Sequence, residues 1–193
     1  MTSPGDLRPA LARAQQWVAE LIAGVRDDQW HEPTPCTEFD VTALVEHLFA
    51  VQQRIVLLAT VGTVEGAPTA LPLPATEVAD AFRAVARDGS QAWAAWGADE
   101  LGTRTVTHPI GTIPGTAALA LYTDENLVHG WDLAVATGQP SEAPADLVEP
   151  VLAVMQGALP AHRPPGMPFA DAVDPRPGAG ATERLANWMG RSR

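Results

Sequence analysis

One stretch of the sequence, residues 124–132, concentrates side chains that could bind a metal ion. At about 100° per residue, Glu125, His129 and Asp132 fall within roughly 60° of one another on one face of a helix. Glu125 and His129 are also spaced so that they can converge on one ion. A carboxylate and an imidazole are ligands that Zn²⁺ accepts, and Ni²⁺ or Fe²⁺ takes the same ligands with altered geometry. The spacing therefore predicts two ligands of a divalent-metal site, with zinc as the first candidate.

A third ligand is needed, because two protein ligands hold a catalytic metal only weakly. His47 is the best candidate, since it lies on the apolar face of another long predicted helix. A histidine on such a face is also commonly a packed core residue, and a Glu–His pair at this spacing also occurs on exposed helices. Asp132 could orient His129 from behind, or be a surface charge. The residues alone leave these interpretations open.

Two further side chains could take part in chemistry. Arg54 shares the helical face of His47, so it could hold a substrate carboxylate near the metal or close a salt bridge at the bundle edge. Cys36 is the only cysteine and follows Pro35 in a predicted connection, where nothing nearby would lower its pKa. A single cysteine excludes an intrachain disulfide and a cysteine-based zinc site. We take Arg54 and Asp132 as candidate catalytic residues.

Five predicted helices would position these side chains. Apolar residues recur at three- and four-residue spacings over residues 7–25, 41–61, 77–96, 116–137 and 145–159. Asp40 is placed to cap the second helix, Thr76 to cap the third, and Gly138 to end the fourth in a left-handed conformation. Residues 97–115 carry β-branched residues and two prolines, so we expect an extended or hairpin-like connection there. A short helical turn over 181–188 follows a Pro- and Gly-rich stretch.

Four of these helices are near twenty residues, or about 30 Å long, which matches a four-helix bundle. Long loops after the second and third helices suggest crossover connections. We therefore predict an all-α fold, with residues 1–193 as one domain and with a C-terminal helix and an irregular tail after the bundle. Because helical bundles with apolar outer stripes often dimerise, a homodimer is a further expectation.

The charge balance excludes some partners. Twelve basic residues against 23 acidic ones give a net charge of -11, which repels phosphate backbones and argues against nucleic-acid binding. Arg191 and Arg193 look like only a frayed basic tip. Residues 1–9 lack the pattern of a signal peptide, and we expect prolines and glycines to break every apolar run short of the roughly 18 residues of a membrane span. We predict a cytoplasmic protein with no membrane partner.

Three segments resemble one family. Residues 34–41, followed by Leu44-Val45-Glu46-His47-Leu48, resemble the second-helix signature of the DinB-like, mycothiol-dependent maleylpyruvate isomerase superfamily. Residues 125–138, with His129-Gly130-Trp131-Asp132 near their centre, resemble its second signature. Residues 183–191 are similar to the end of a short actinobacterial branch. The two main motifs have the family's order and separation, and the resemblance covers nearly the whole chain.

The resemblance implies a DinB-type four-helix bundle with a metal at one end. It also implies that His47, Glu125 and His129 are the three ligands, which leaves a coordination position open. Family members are similar to transferases that use mycothiol or bacillithiol, and the metal would favour the thiolate form of such a thiol. The characterised isomerases carry an additional C-terminal domain, whereas this chain ends shortly after the bundle. We therefore expect an activity other than isomerisation of maleylpyruvate.

Three functions fit these observations. The first is a metal-dependent, thiol-using transferase or isomerase-like enzyme that acts on an electrophilic small molecule, with mycothiol as the thiol. The second is a biosynthetic or hydrolytic enzyme that uses the bundle pocket without a thiol, with metal-bound water as base or nucleophile if a metal is present. The third is a non-catalytic metal-binding or stress-response protein. Turnover in the absence of a thiol, or the absence of bound metal, would separate the second and third functions from the first.

Overall fold

A computed structural model describes residues 6–165, 167 and 169–193. Its regular structure comprises seven α-helices, one 3₁₀ turn at Asp27–Gln29 and one two-stranded antiparallel hairpin, so the predicted all-α class is confirmed apart from the hairpin. The elements are α1 Arg8–Ala23, α2 Val41–Thr60, α3 Val78–Ala94, α4 Ala98–Thr103, β1 Thr105–His108, β2 Gly111–Pro114, α5 Gly115–Thr137, α6 Ala145–Ala158 and α7 Ala181–Trp188.

The four long helices α1, α2, α3 and α5 form the bundle. Helix α1 packs against α3 and α5, and α2 packs against the same two helices. Hence α1 and α2 stand diagonally across the bundle, and so do α3 and α5. The crossovers therefore follow α1 and α3, whereas the loop after α2 joins adjacent helices where a crossover was predicted. Helices α6 and α7 pack on each other and on the outside of α5.

Local signals explain most helix boundaries. The Asp40 side chain accepts a hydrogen bond of 2.8 Å from the Ala43 amide, so the predicted cap of α2 is confirmed. Helix α5 ends at Gly138, whose φ of 69° is the left-handed conformation that favours glycine. The predicted cap of α3 is wrong, because Glu77, not Thr76, precedes its first residue. Glu77 has a left-handed φ of 55° and makes no side-chain cap.

The connection between the third and fourth predicted helices is a helical turn followed by the hairpin. Strand β1 pairs with β2 so that Thr105 lies opposite Pro114, which confirms the hairpin-like connection. Helix α4 was not predicted, because the β-branched residues and prolines of residues 97–115 favour an extended connection. In the structure Thr103 ends α4, and its hydroxyl donates to the Asp99 carbonyl over 2.9 Å.

Buried polar contacts fix the bundle helices against one another. Gln15 on α1 donates to Gln52 on α2 over 2.7 Å, and Gln52 donates to Asn126 on α5 over 3.0 Å. The indole nitrogens of Trp93 and Trp96 donate to carbonyls of α2. Since a buried amide without a partner is costly, this chain of amides holds α2 and α5 in one register.

Helix α2 corrects one expectation from the sequence. Val41–Thr60 has the length and apolar character that would allow a membrane span, and no proline or glycine interrupts it. In the structure 56% of its most apolar window is buried inside the protein. The apolar residues of α2 therefore serve as the centre of the bundle core.

Candidate metal centre

Helices α2 and α5 bring the three predicted ligands together. The Nε2 atoms of His47 and His129 each lie 3.4 Å from Oε2 of Glu125. One ligand atom from each of the three residues lies within 4.8 Å of the other two. The His129 side chain is 7% exposed and that of Glu125 is 33% exposed, so the cluster lies at the edge of the core, where a small molecule can reach it.

Hydrogen bonds behind the two imidazoles set their tautomers. Nδ1 of His47 donates to the Thr69 carbonyl over 2.8 Å, and Nδ1 of His129 donates to Oδ2 of Asp132 over 3.1 Å. A backbone carbonyl can only accept, and Oδ2 of Asp132 also accepts from Arg191, so both Nδ1 atoms hold the ring hydrogen. In the neutral rings the two Nε2 lone pairs then face the Glu125 carboxylate.

Lone pairs of two imidazole nitrogens and one carboxylate oxygen face one another in this cluster. They repel one another unless a positive charge lies between them. Burial disfavours the charged form of His129, but hydrogen bonds to Asp132 and Glu125 outweigh it and raise the pKa of His129 to about 9. Burial likewise opposes the charged form of Glu125, yet the hydrogen bonds from His129 and His47 lower the pKa of that carboxyl. Two imidazole nitrogens and a carboxylate are also a zinc donor set, so the residues present fit a divalent ion in place of the proton.

Aromatic contacts orient the His47 ring. Phe39 stacks on it with ring centroids 5.2 Å apart, and the His129 ring meets it edge-on at 5.0 Å. Phe39 belongs to the connection before α2, directly before the cap residue Asp40. The segment that begins α2 therefore also supports one of the candidate ligands.

Asp132 is fully buried, which excludes the alternative of a surface charge. Its Oδ2 accepts from His129 and, over 3.2 Å, from Nε of Arg191. Its Oδ1 has no hydrogen-bond partner among the described residues. The expectation that Arg191 is a frayed basic tip is wrong, because Arg191 is only 22% exposed and forms an ion pair with this buried carboxylate.

A cavity of about 460 Å³ opens beside the cluster. Its lining includes Glu125 and His129 of α5, Cys36 and Glu38 of the connection before α2, and Phe169 and Arg191 from the C-terminal part of the chain. Asp124 also lines the cavity, and burial raises the pKa of its carboxyl well above the usual range. The cavity has the size of a small-molecule site and borders two of the three candidate ligands.

The structure places Arg54 and Cys36 in different surroundings. Nε of Arg54 donates to the Pro68 carbonyl over 3.1 Å, and the Ala67 carbonyl accepts a longer bond. Arg54 thus supports the loop that continues into Thr69, whose carbonyl accepts from Nδ1 of His47. Among the described residues, Arg54 forms no salt bridge. Cys36 is buried in the cavity wall, and burial raises the pKa of its thiol, which disfavours the thiolate.

This chain is similar to known proteins in sequence. The profile of the family described as "Mycothiol maleylpyruvate isomerase N-terminal domain" matches residues 11–134. An uncharacterized protein of Mycobacterium tuberculosis, found in two strains, is 33% identical over 181 residues. That match covers 93% of this chain and 94% of the relative.

Two solved structures share the fold. One is the crystal structure of the mycothiol-dependent maleylpyruvate isomerase, with 20% sequence identity and a TM-score of 0.54. The other is a histidine-to-alanine mutant of that enzyme, with 18% identity and the same TM-score. Each match covers 82% of this chain and 72% of the solved chain. The resemblance carried by the two sequence motifs is therefore confirmed.

Proposed function

Because this chain belongs to the mycothiol maleylpyruvate isomerase N-terminal domain family, we propose that it is an enzyme that uses a low-molecular-weight thiol, with mycothiol as the first candidate. Its substrate is an electrophilic small molecule, and its cofactor is a divalent metal ion, with zinc before nickel or iron. The observation that carries this proposal is the convergence of two imidazole nitrogens and one carboxylate oxygen at the edge of a cavity.

His47, Glu125 and His129 would hold the ion. When bound there, a divalent cation lowers the pKa of a thiol in its open coordination position and so favours the nucleophilic thiolate. Thr69 and Asp132 keep the two imidazoles in the tautomer that leaves Nε2 free.

The reaction follows from the nucleophile. The thiolate sulfur forms a bond to an electrophilic carbon, and in a transferase that carbon releases a leaving group or its neighbour takes up a proton. In an isomerase the sulfur–carbon bond breaks again after rotation, which returns the thiol. Low-molecular-weight thiols are kept reduced in the cytoplasm, so the proposal also places the protein there.

Metal content and thiol conjugation test the proposal together. We expect the untagged protein to hold close to one zinc ion per chain by elemental mass spectrometry. We also expect it to accelerate the reaction of mycothiol with monochlorobimane, whose conjugate is fluorescent. His129→Ala should lose both properties. His162→Ala is the matched control, because His162 is exposed, pairs with Asp171 and is not among the described residues that line the cavity.

The alternatives predict other results. Turnover of a substrate without any thiol would favour a biosynthetic or hydrolytic enzyme. A protein without metal, whose conjugation activity is unchanged by His129→Ala, would contradict the proposal and favour a non-catalytic binding protein.

A further inference from the structure

The cavity beside the metal ligands contains one permanently charged cation among the described residues that line it. Arg191 follows α7 and lines the cavity together with the α5 residues Glu125 and His129. The other ionisable groups of the lining include the carboxyls of Glu38 and Asp124. Apart from the metal centre itself, Arg191 is therefore the fixed positive charge that the described lining offers to an anionic group of a bound molecule.

The guanidinium is anchored at one edge and open at the other. Nε of Arg191 donates to Asp132 over 3.2 Å, and Nη1 makes a marginal contact of 3.5 Å with the Met189 carbonyl. Nη2 has no hydrogen-bond partner within the part of the chain that the structure describes. A guanidinium offers five N–H donors in a planar fork that matches a carboxylate, and most of these remain free.

If Arg191 served only as the counter-ion of Asp132, a different geometry would be expected. An arginine that only neutralises a buried carboxylate can do so with two parallel hydrogen bonds. Here Arg191 bonds Oδ2, which His129 also uses, and the buried Oδ1 has no partner in the described part of the chain. The two Nη atoms are therefore directed away from Asp132.

We infer that Arg191 binds a carboxylate of the small-molecule substrate, and that Asp132 holds both this arginine and the ligand His129 in place. The inference rests on the proposed function and specifies its substrate as a small carboxylate. It makes residues 189–192, which line the cavity, a determinant of specificity in addition to the bundle helices.

Binding of fumarate and of its uncharged diamide, measured by calorimetry without thiol, tests the inference. We expect the zinc-loaded protein to bind fumarate, and Arg191→Gln to weaken that binding by about tenfold or more, the loss of a charge-assisted hydrogen-bond pair. Binding of the diamide should not change. Arg193→Gln is the matched control, because Arg193 bonds Ser141 and pairs with Glu183.

Two further measurements keep the outcomes distinct. Arg191→Lys retains the charge and should bind fumarate with intermediate affinity, which separates recognition from a folding defect. Zinc content reports the proposed function independently and should be equal in all variants.

If zinc is present but fumarate does not bind, or binds Arg191→Gln as tightly as the parent, the inference is overturned and the metal centre stands. If zinc is absent yet fumarate binding depends on Arg191, the proposed function fails and the inference stands.

Discussion

His129 uses both of its ring nitrogens, and the two have different tasks. Nε2 faces Glu125 and His47, whereas Nδ1 donates to the buried Asp132. A carboxylate behind a histidine ligand fixes the ring and raises its basicity. Asp132 would therefore contribute to the proposed metal centre although it lies on the far side of the imidazole.

Asp132→Asn should weaken zinc binding by about 10- to 100-fold, the typical loss when a partner of a metal ligand is changed. An amide has one acceptor oxygen and no charge, so it cannot serve His129 and Arg191 as the carboxylate does. Competition with a chromophoric chelator measures the affinity. Asp146→Asn is the control, since Asp146 pairs with Arg13 on the exposed surface. Equal affinities of the two variants would show that Asp132 does not support His129.

The metal-free cluster should make stability depend on pH. The pKa of His129 rises from 6.5 to about 9 on folding, so its stabilisation is complete below pH 6.5 and is lost as the pH rises through about 9. Urea unfolding of the metal-free protein at pH 6, 7.5 and 9 should show a falling free energy of unfolding. His129→Gln should flatten that decrease, and an equally steep decrease in this variant would contradict the assignment.

The site residues that sequence could predict are those on regular helices. Glu125 and His129 share a face because the helical repeat is fixed, and His47 belongs to the apolar face of α2. Arg191 could not be found in this way, because it lies 59 residues from Asp132 in sequence and follows a proline-rich stretch. No periodicity in the sequence shows that the carbonyl of Thr69, a loop residue, accepts a hydrogen bond from Nδ1 of His47.

At the scale of elements, the close approach of α1 and α5 depends on one glycine. A Cβ atom at Gly130 would lie 2.4 Å from the Trp17 ring. Trp17 therefore packs where any other residue would place a side chain, directly beside the candidate ligand His129. The position of α5, and with it the position of two candidate ligands, depends on this contact.

Gly130→Ala should destabilise the protein by about 1–3 kcal/mol, because the Trp17 ring must move within a packed interface. Chemical denaturation measures the change. Gly157→Ala is the control, since Gly157 is exposed on α6 with nothing within 4 Å of the added carbon. That variant should be neutral or more stable by roughly 0.5–1 kcal/mol. The same destabilisation in both variants would mean that loss of glycine itself, and not Trp17, is responsible.

The errors in predicted elements have local causes. Asp40 caps α2 because its backbone is extended, whereas the left-handed Glu77 displaces Thr76 from the cap position of α3. The short α4 gives no hydrophobic periodicity to detect. It is stabilised by Glu100, whose side chain accepts from the Gly97 amide over 2.6 Å, and this contact compensates for the low helix propensity of Thr103.

For the molecule as a whole, zinc should act as a stabilising ligand. Free zinc at a hundred times its dissociation constant adds about 2.7 kcal/mol to the stability of the protein that binds it. For a chain of this size that corresponds to a rise in Tm of about 5–10 °C. Scanning calorimetry with zinc and with a chelator measures the shift. His47→Ala should show little of it, and an equal rise in that variant would place the zinc elsewhere.

The predicted absence of nucleic-acid partners rests on the net charge of -11, and it stays a prediction together with the predicted absence of membrane partners. The predicted homodimer stays a prediction. The large hydrophobic side chains most exposed among the described residues, Val61, Ile110, Val154 and Val173, lie in separate elements and loops. Light scattering of the purified protein would give the mass in solution.

The pairing of His47 with Glu125 joins positions 78 residues apart. An ion held by both helices would act as a reversible cross-link, and α3, α4 and the hairpin would lie inside the closed loop. Cross-links of long span restrict the unfolded chain strongly. Helices α6 and α7 lie outside that loop. Loss of the ion should therefore speed amide hydrogen exchange across residues 48–124 as one unit, while α6 and α7 keep their protection.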